Sequence, residues 1–575
     1  MKNHLRNLVK LLLFLWAVCS IAIIAFMGYS LWWERDLALY GGKSIPEQRR
    51  VVLERSGQNQ RIMDHLEKIA LVWPEHARYT LKCSGNERTY IEYYLAPRLS
   101  VAKGDYTLEL EGERFVYDLP ESRPVQLLND SDQKKMPWGW LVSMFLVFGF
   151  SACMVRRVQS LNLSFPESAG IVLGLLYLLC LLSKIITGSV CAGFVIFTTV
   201  AVIGSVWFLI DWFRVGKCFH ERIPNVNLPV MLLLGGILAG FLVSLALSVV
   251  VVPDDWDAWA TWSAKAKSLL LGNSITEVTS YSHNDYPILW PSLWAYSAWL
   301  SGGWEEQWSR GWGSVIFALT VWQIASAIFR RTSNVFWALS GACLFAATPK
   351  IIVISSWSYA EPLLWLLAAC FAGRLLRLSV VGSSADILMA GAFAAIAALA
   401  KNEGILLFAS GLIYIVISAP RSAVRLSLLY ILPFTLLCLP WMIWTRLFMD
   451  YGAQASSGLD FLDQQKVALA IERFHPALTG ILRVWTDVQQ WSVTLIAVLM
   501  GFFWAIVGKS SLRNKLVLLV PVLMLTGYFV IILFHICELG WIISTSWDRI
   551  TVQVLVVAIP IIFAIAGEPR DNLTA

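Results

Sequence analysis

Charge is what this sequence has least of. Only 15% of its 575 residues are Asp, Glu, Lys or Arg, whereas 57% are hydrophobic, and the mean hydropathy is +0.63. A water-soluble chain with that balance would carry more apolar surface than it could bury, so a bilayer must be the solvent. No glycine-rich loop follows a strand in the manner that cradles a nucleotide phosphate, which excludes the common nucleotide and dinucleotide sites. Internal repeats, low-complexity tracts and inverted halves with matching broken helices are missing too. The ten cysteines show no metal-ligand spacing, and most lie inside apolar runs, where a thiol behaves as a small hydrophobe. Cys83 and Cys537 alone fall in stretches read as lying outside the membrane.

What is present is a succession of apolar runs of about 20 residues, the length that crosses a hydrocarbon core. The net charge of +6 does not point to nucleic acid, because the basic residues sit in short clusters between those runs. Arg156 with Arg157, Arg330 with Arg331, Arg374 with Arg377, and Arg421 with Arg425 follow the positive-inside pattern. From these clusters the chain is expected to form an α-helical polytopic membrane protein of about 14 transmembrane helices with both termini cytoplasmic. Residues 1–32 read as an uncleaved N-terminal anchor, since Trp32, Trp33 and Arg35 stand where a cleavage site would need small residues. Residues 33–136 read as a small extracytoplasmic domain inserted after the first helix. Its first stretch, 45–71, looks helical, and 78–117 alternates polar with apolar and aromatic residues as short strands do, so the domain is read as β-rich or α/β. Residues 137–252 add further transmembrane helices, 253–310 form a long extracytoplasmic loop, and 311–575 form a transmembrane core with a second outer loop at 449–490.

The most informative segment is Pro253-Asp254-Asp255-Trp256-Asp257-Ala258-Trp259-Ala260, placed where the fifth span exits. Three carboxylates crowd together at a membrane surface. Mutual repulsion and partial desolvation are expected to raise the pKa of at least one of Asp254, Asp255 and Asp257, which suits a general base; Asp255 and Asp257 would otherwise suit a divalent cation such as Mg2+ or Mn2+. The plainer reading is an interfacial aromatic belt with a solvated acidic helix start. In the same loop, Ser282-His283-Asn284-Asp285-Tyr286-Pro287 precedes another apolar helix and is, taken alone, also an ordinary turn signal.

Taken together, these two segments resemble the first catalytic loop of the glycosyltransferase C (GT-C) superfamily, in the branch of protein O-mannosyltransferases and aminoarabinose transferases, particularly its bacterial members. Three later segments extend the resemblance: Ser358-Tyr359-Ala360-Glu361-Pro362, Ala400-Lys401-Asn402-Glu403-Gly404, and Ser544-Thr545-Ser546-Trp547-Asp548-Arg549. It covers roughly residues 230–567 and not the N-terminal third. It departs from the usual pattern in that four spans and a soluble domain precede the acidic loop.

The resemblance implies transfer of a sugar from a polyprenyl-phosphate-linked donor to a glycan, lipid or protein acceptor, with inversion, at the outer face of a bacterial inner membrane. It casts Asp255 or Asp257 as the base, and Lys265, Lys401 and Arg549 as cations for the departing phosphate, Arg549 being suited to two parallel hydrogen bonds. His283, Asp285, Tyr286, Glu361, Glu403 and Asp548 become candidate substrate contacts. Glu361 and Glu403 have a plainer reading as helix caps in the headgroup zone, and Asp548 with Arg549 as a surface pair. Among the 28 tryptophans, Trp256, Trp259, Trp262 and Trp290 are the candidates for stacking on a sugar, the rest reading as interface anchors. Three other classes compete: a flippase or transporter of lipid-linked saccharide, which needs polar residues in mid-span; a polysaccharide polymerase or ligase; and a sensor or scaffold built on the outer domain.

Overall fold

The structure, a computed structural model, describes residues 138–215, 228–250, 255–272, 285–304, 307–379, 383–448, 463–508, 510–535 and 537–567, with shorter pieces of 48–117 and the positions 278, 281 and 283. The expected anchor at 11–32, most of 33–136, Asp254, and Tyr451 and Asp460 of the second outer loop lie outside the described residues.

Within 78–117 four strands form one sheet in the order β2-β1-β3-β4: β1 Arg78–Lys82, β2 Leu99–Ser100, β3 Tyr106–Glu111 and β4 Arg114–Tyr117. β1 runs parallel to both β2 and β3, and β3 pairs antiparallel with β4. Tyr79 and Leu81 alternate onto one buried face, where Leu81 sits opposite Leu108, while Lys82 pairs with Glu109 across the strands at 2.6 Å. That alternation is the pattern of a sheet with one covered face and one wet face.

The rest is helical and membrane-embedded. Seven described helices are long and apolar enough to cross a bilayer: Trp138–Arg157, Phe165–Thr187, Cys191–Asp211, Leu228–Val250, Trp308–Thr332, Leu512–Phe534 and Leu539–Ala566. The number rises to nine if two bent pairs count as one span each. The pair Val335–Ala346 and Pro349–Ser356 turns by 63° where Pro349 interrupts the ladder, and Gly404–Ser418 with Pro420–Leu437 turns by 107° at Pro420. The larger number expected from hydropathy counted apolar stretches that form short helices, Ser384–Ala400 and Thr494–Val507, and the Glu361–Leu378 helix, which carries Glu361, Arg374 and Arg377. Lipid-facing apolar side chains such as Ile186, Leu428, Phe503 and Val507 remain exposed.

Small and hydroxylated residues let the helices approach closely. A Cβ on Gly391 would meet the Tyr430 carbonyl oxygen at 2.2 Å, so only glycine admits the neighbouring helix there. Ser244 bonds Ser314 and Ser355 at 2.7 Å each, and Ser248 bonds Ser314 at 2.7 Å, which satisfies four buried hydroxyls among three helices.

One end of the bundle is closed by a buried ion network. Ser164 and Glu167 form a reciprocal cap at the start of Phe165–Thr187. Glu167 then receives both the Nε and Nη2 of Arg374, at 2.7 and 2.8 Å. Arg374 also donates to Asp386 at 2.9 Å, and Arg377 reaches the same carboxylate at 3.2 Å. Arg374, which the sequence places in an inner-face basic cluster, is fully buried between carboxylates from two other helices. Breaking a buried pair leaves an uncompensated charge, so Arg374→Met should destabilise the fold by about 3–5 kcal/mol, whereas the same change at the exposed Arg421 should have little effect. Thermal unfolding in detergent measures both.

Candidate functional site

At the opposite end of the same helices, the five motif segments meet. Asp257 stands just before a π-helical stretch, Ala258–Ser263, a distortion that re-aims side chains and often marks functional positions. Glu361 opens the Glu361–Leu378 helix behind Pro362, and Lys401, Asn402 and Glu403 bridge Ser384–Ala400 and Gly404–Ser418. Asp548 and Arg549 lie on Leu539–Ala566.

Arg549 is the hub. Its Nη1 lies 2.7 Å from Asp257 Oδ2 and 3.5 Å from Glu361 Oε1. Lys401 Nζ pairs with Glu361 Oε1 at 2.8 Å and with Glu403 Oε1 at 2.7 Å. His283 Nε2 stands 4.0 Å from Asp257 Oδ1. Asn402 Nδ2 donates to Asp285 at 2.5 Å and so ties the first outer loop to this cluster. Each cation also faces an aromatic ring: Arg549 lies 5.3 Å from the Tyr359 centroid, and Lys401 5.6 Å from that of Tyr286.

Two residues that sequence reasoning missed complete the set. Lys350, on Pro349–Ser356, pairs with Asp548 and lies 5.4 Å from the Trp357 ring. Its sequence signal was a lone lysine directly after the proline that breaks an apolar run. Gln553, one turn beyond Arg549, accepts a hydrogen bond from Tyr528 while its amide nitrogen has no partner among the described residues. The second carboxylate oxygens of Glu361 and Glu403 are likewise buried and unpartnered among the described residues. A floor with free acceptors and a free donor is suited to a ligand rich in hydroxyl groups.

Other expected residues are placed differently. Lys265, expected at a phosphate, is fully buried, and its ammonium is bonded to the carbonyl oxygens of His283 and Tyr286. Trp259, Trp262 and Trp290 are buried in the framework, Trp262 stacked on Tyr286 and Trp290 donating to the Ser358 carbonyl at 2.9 Å. Trp256, 37% exposed and edge-on to His283, is the tryptophan of that group left free to stack on a ligand. Among the described residues no three His, Cys, Asp or Glu side chains come together to hold a metal ion. Asp257, one of the two carboxylates expected to ligate a divalent cation, is instead engaged by Arg549.

The electrostatics follow from this packing. Burial works against ionisation of Asp257, but the Arg549 guanidinium, His283 and Lys401 outweigh it and hold the carboxyl below its ordinary range. The raised value anticipated from crowding of acids therefore does not apply to Asp257, because a guanidinium sits 2.7 Å from it. Burial, reinforced by Lys265 and Lys401, pulls His283 below its ordinary value despite Asp257 and Asp285, so it is a neutral imidazole at pH 7. Burial also opposes the charge on Lys401, but Glu361 and Glu403 hold it above the usual ammonium range. The Tyr359 phenol is pushed up by burial and then by Asp255, which places that acid in the same field.

Comparison with family models, with curated proteins and with solved structures returns no match.

Because Asp257 is depressed, its pairing contributes stability fully above the unfolded-state pKa, about 3.9, and loses it as pH falls through the lower folded value. The stability gap between the wild type and Asp257→Asn should stay constant from pH 7 to about 5 and narrow below about 4. Thermal melts across that range read the gap, and a gap that widens on acidification would contradict the assignment.

Proposed function

We propose that the protein is a membrane glycosyltransferase that moves a sugar from a polyprenyl-phosphate donor to a hydroxyl acceptor at the extracytoplasmic face of a bacterial inner membrane. The observation that carries this reading is the meeting of Asp257, Glu361, Lys401 and Arg549, from four segments far apart in sequence, in one ion cluster at one end of the helical bundle. The GT-C resemblance of those same segments supports it.

In this reading the acceptor oxygen attacks the anomeric carbon opposite the phosphate, the bond from that carbon to the phosphate oxygen breaks, and the anomeric centre inverts. The acceptor proton passes to Asp257, and the bonding electrons leave with the lipid phosphate. Arg549 and Lys401 are positioned beforehand for that growing negative charge, at low reorganisation cost. Arg549 is held by Asp257 in the resting site. When a phosphate draws the guanidinium away, Asp257 loses the cation that chiefly holds its pKa down and becomes a stronger base, so donor binding itself primes proton transfer. Glu361 and Glu403 offer their free oxygens to sugar hydroxyls, Trp256 offers a ring face, and Lys350 supplies a further cation beside Asp548.

The flippase reading needs a polar path through the bilayer. Among the described residues the buried ion pairs instead gather in two clusters at opposite ends of shared helices, which favours an enzyme.

The test is transfer from defined radiolabelled polyprenyl-phosphate sugars by the purified protein in nanodiscs, with a panel of glycan, lipid and peptide acceptors. Asp257→Asn should lower the rate by at least ~100-fold while the variant, though less stable, remains folded and monodisperse at the assay temperature. Arg549→Ala should raise the KM for donor more than the KM for acceptor. Full activity in Asp257→Asn, or equal effects of Arg549→Ala on both substrates, would remove the roles assigned.

A further inference from the structure

The least expected ionisable group in the molecule is Lys265. It follows the π-helical stretch on the short helix Ala264–Leu270 and has no solvent exposure. Its Nζ lies 2.5 Å from the carbonyl oxygen of His283 and 3.4 Å from that of Tyr286. Among the described residues no carboxylate lies within ion-pairing distance of it, so backbone carbonyls alone solvate a buried charge, an expensive arrangement to keep without a purpose.

The turn it grips is closed by the Tyr286 amide donating to the same His283 carbonyl at 2.9 Å. His283 has φ of 52°, a left-handed conformation that is costly for a residue with a side chain and persists only when its surroundings enforce it. Every described side chain of that turn is engaged with the ion cluster. His283 stands beside Asp257, and Asp285 receives Asn402. The Tyr286 ring is stacked between Trp262 at 5.4 Å and His283 at 4.8 Å, and faces Lys401.

We propose that Lys265 is a positioning residue: its buried ammonium, bonded to the His283 and Tyr286 carbonyls, sets the turn that presents His283, Asp285 and Tyr286 to the ion cluster. The proposal rests on the glycosyltransferase reading only in treating that cluster as the working site. Lys265 touches no part of the open site, which separates it from the cations that would meet a phosphate.

The same burial makes the clamp responsive to pH. Desolvation lowers the Lys265 pKa to about 7, with Asp285 opposing in part. Below that value three charged N–H donors serve the turn; above it a neutral amine makes weaker hydrogen bonds. The shifted groups facing the turn move away from neutrality. Asp257 and His283 are shifted down, and Lys401 and Tyr286 up. Of the elements packed on the Lys265 helix, Ala258–Ser263 has no titratable residue, and Leu289–Leu300 has only Tyr296, raised by burial to about 12 and bonded to Thr198. Lys267, on the same helix as Lys265, points to the Tyr94 carbonyl at 3.1 Å.

Hydrogen exchange read by mass spectrometry on the full chain in nanodiscs tests the clamp without any substrate. After correction for the intrinsic rate, wild-type exchange in peptides spanning 278–290 should rise several-fold from pH 6 to pH 8.5. At pH 6, Lys265→Met should exchange there about tenfold faster than wild type and should show no further pH response, with peptides of 311–332 unchanged in both. A wild-type turn whose protection is flat across that range, a result that needs no variant, would overturn the proposal. So would a pH response that Lys265→Met shares. In parallel, transfer from the radiolabelled donors should lose its limb near pH 7 in Lys265→Met. A loosened turn in a protein that transfers no sugar would leave the clamp standing and bring down the enzymatic reading instead.

Discussion

The structure turns on one constraint: charge taken out of water must be met by opposite charge or by oriented dipoles. Two helices carry the consequence at both ends. Glu361–Leu378 has Glu361 at one end and Arg374 near the other, and Ser384–Ala400 has Asp386 near one end and Lys401 directly beyond the other. The residues at one end of the pair bond each other and Glu167; those at the other bond each other and Arg549. Thirteen residues of α-helix separate Glu361 from Arg374, roughly 20 Å, which is most of the thickness of a hydrocarbon core. The pair is thus pinned at both ends, and the pinning at one end is also the candidate site.

The two clusters differ in degree: among the described residues one buried polar atom, Asp386 Oδ2, lacks a partner at the Arg374 end. There a capping box, a bidentate guanidinium and backbone carbonyls hold the other groups. At the Arg549 end, carboxylate oxygens of Glu361 and Glu403 and the amide nitrogen of Gln553 are left without partners among the described residues, and Asp257 and His283 retain some exposure. The larger set of unpaired atoms, with the partial exposure of Asp257 and His283, separates candidate site from scaffold. It also explains why the aromatic residues divide as they do. Trp259, Trp262 and Trp290 line the support beneath the first outer loop, whereas Trp256 stays at the rim.

Much of this was legible in the residue order. Apolar length and sparse charge identified a helical membrane chain, because no other solvent suits that composition. The motif segments identified Asp257, Glu361, Lys401 and Arg549, because ionisable groups beside apolar helices are rare and expensive. Lys350 was not legible, since a single lysine after a proline break carries no pattern of its own. Gln553 was not legible either, being an uncharged residue one helical turn below a motif. The burial of Arg374 was not legible, because a cluster count registers the sign of a charge and not its depth. The span count also exceeded what length and composition support in the described helices, since hydropathy cannot tell a straight crossing helix from a bent or short one.

By itself the sequence determined the solvent, the helical class and the short list of groups able to do chemistry, since each of these depends on composition and on local order along the chain. The tertiary structure alone decided which of those groups face one another: that Asp257 meets Arg549 rather than its acidic neighbours, that Lys265 is a clamp beneath a turn, and that Arg374 is a buried lock. Pairing, burial and the resulting pKa directions depend on distances between segments tens to hundreds of residues apart, and in a medium of low dielectric an ångström or two of such distance outweighs residue type.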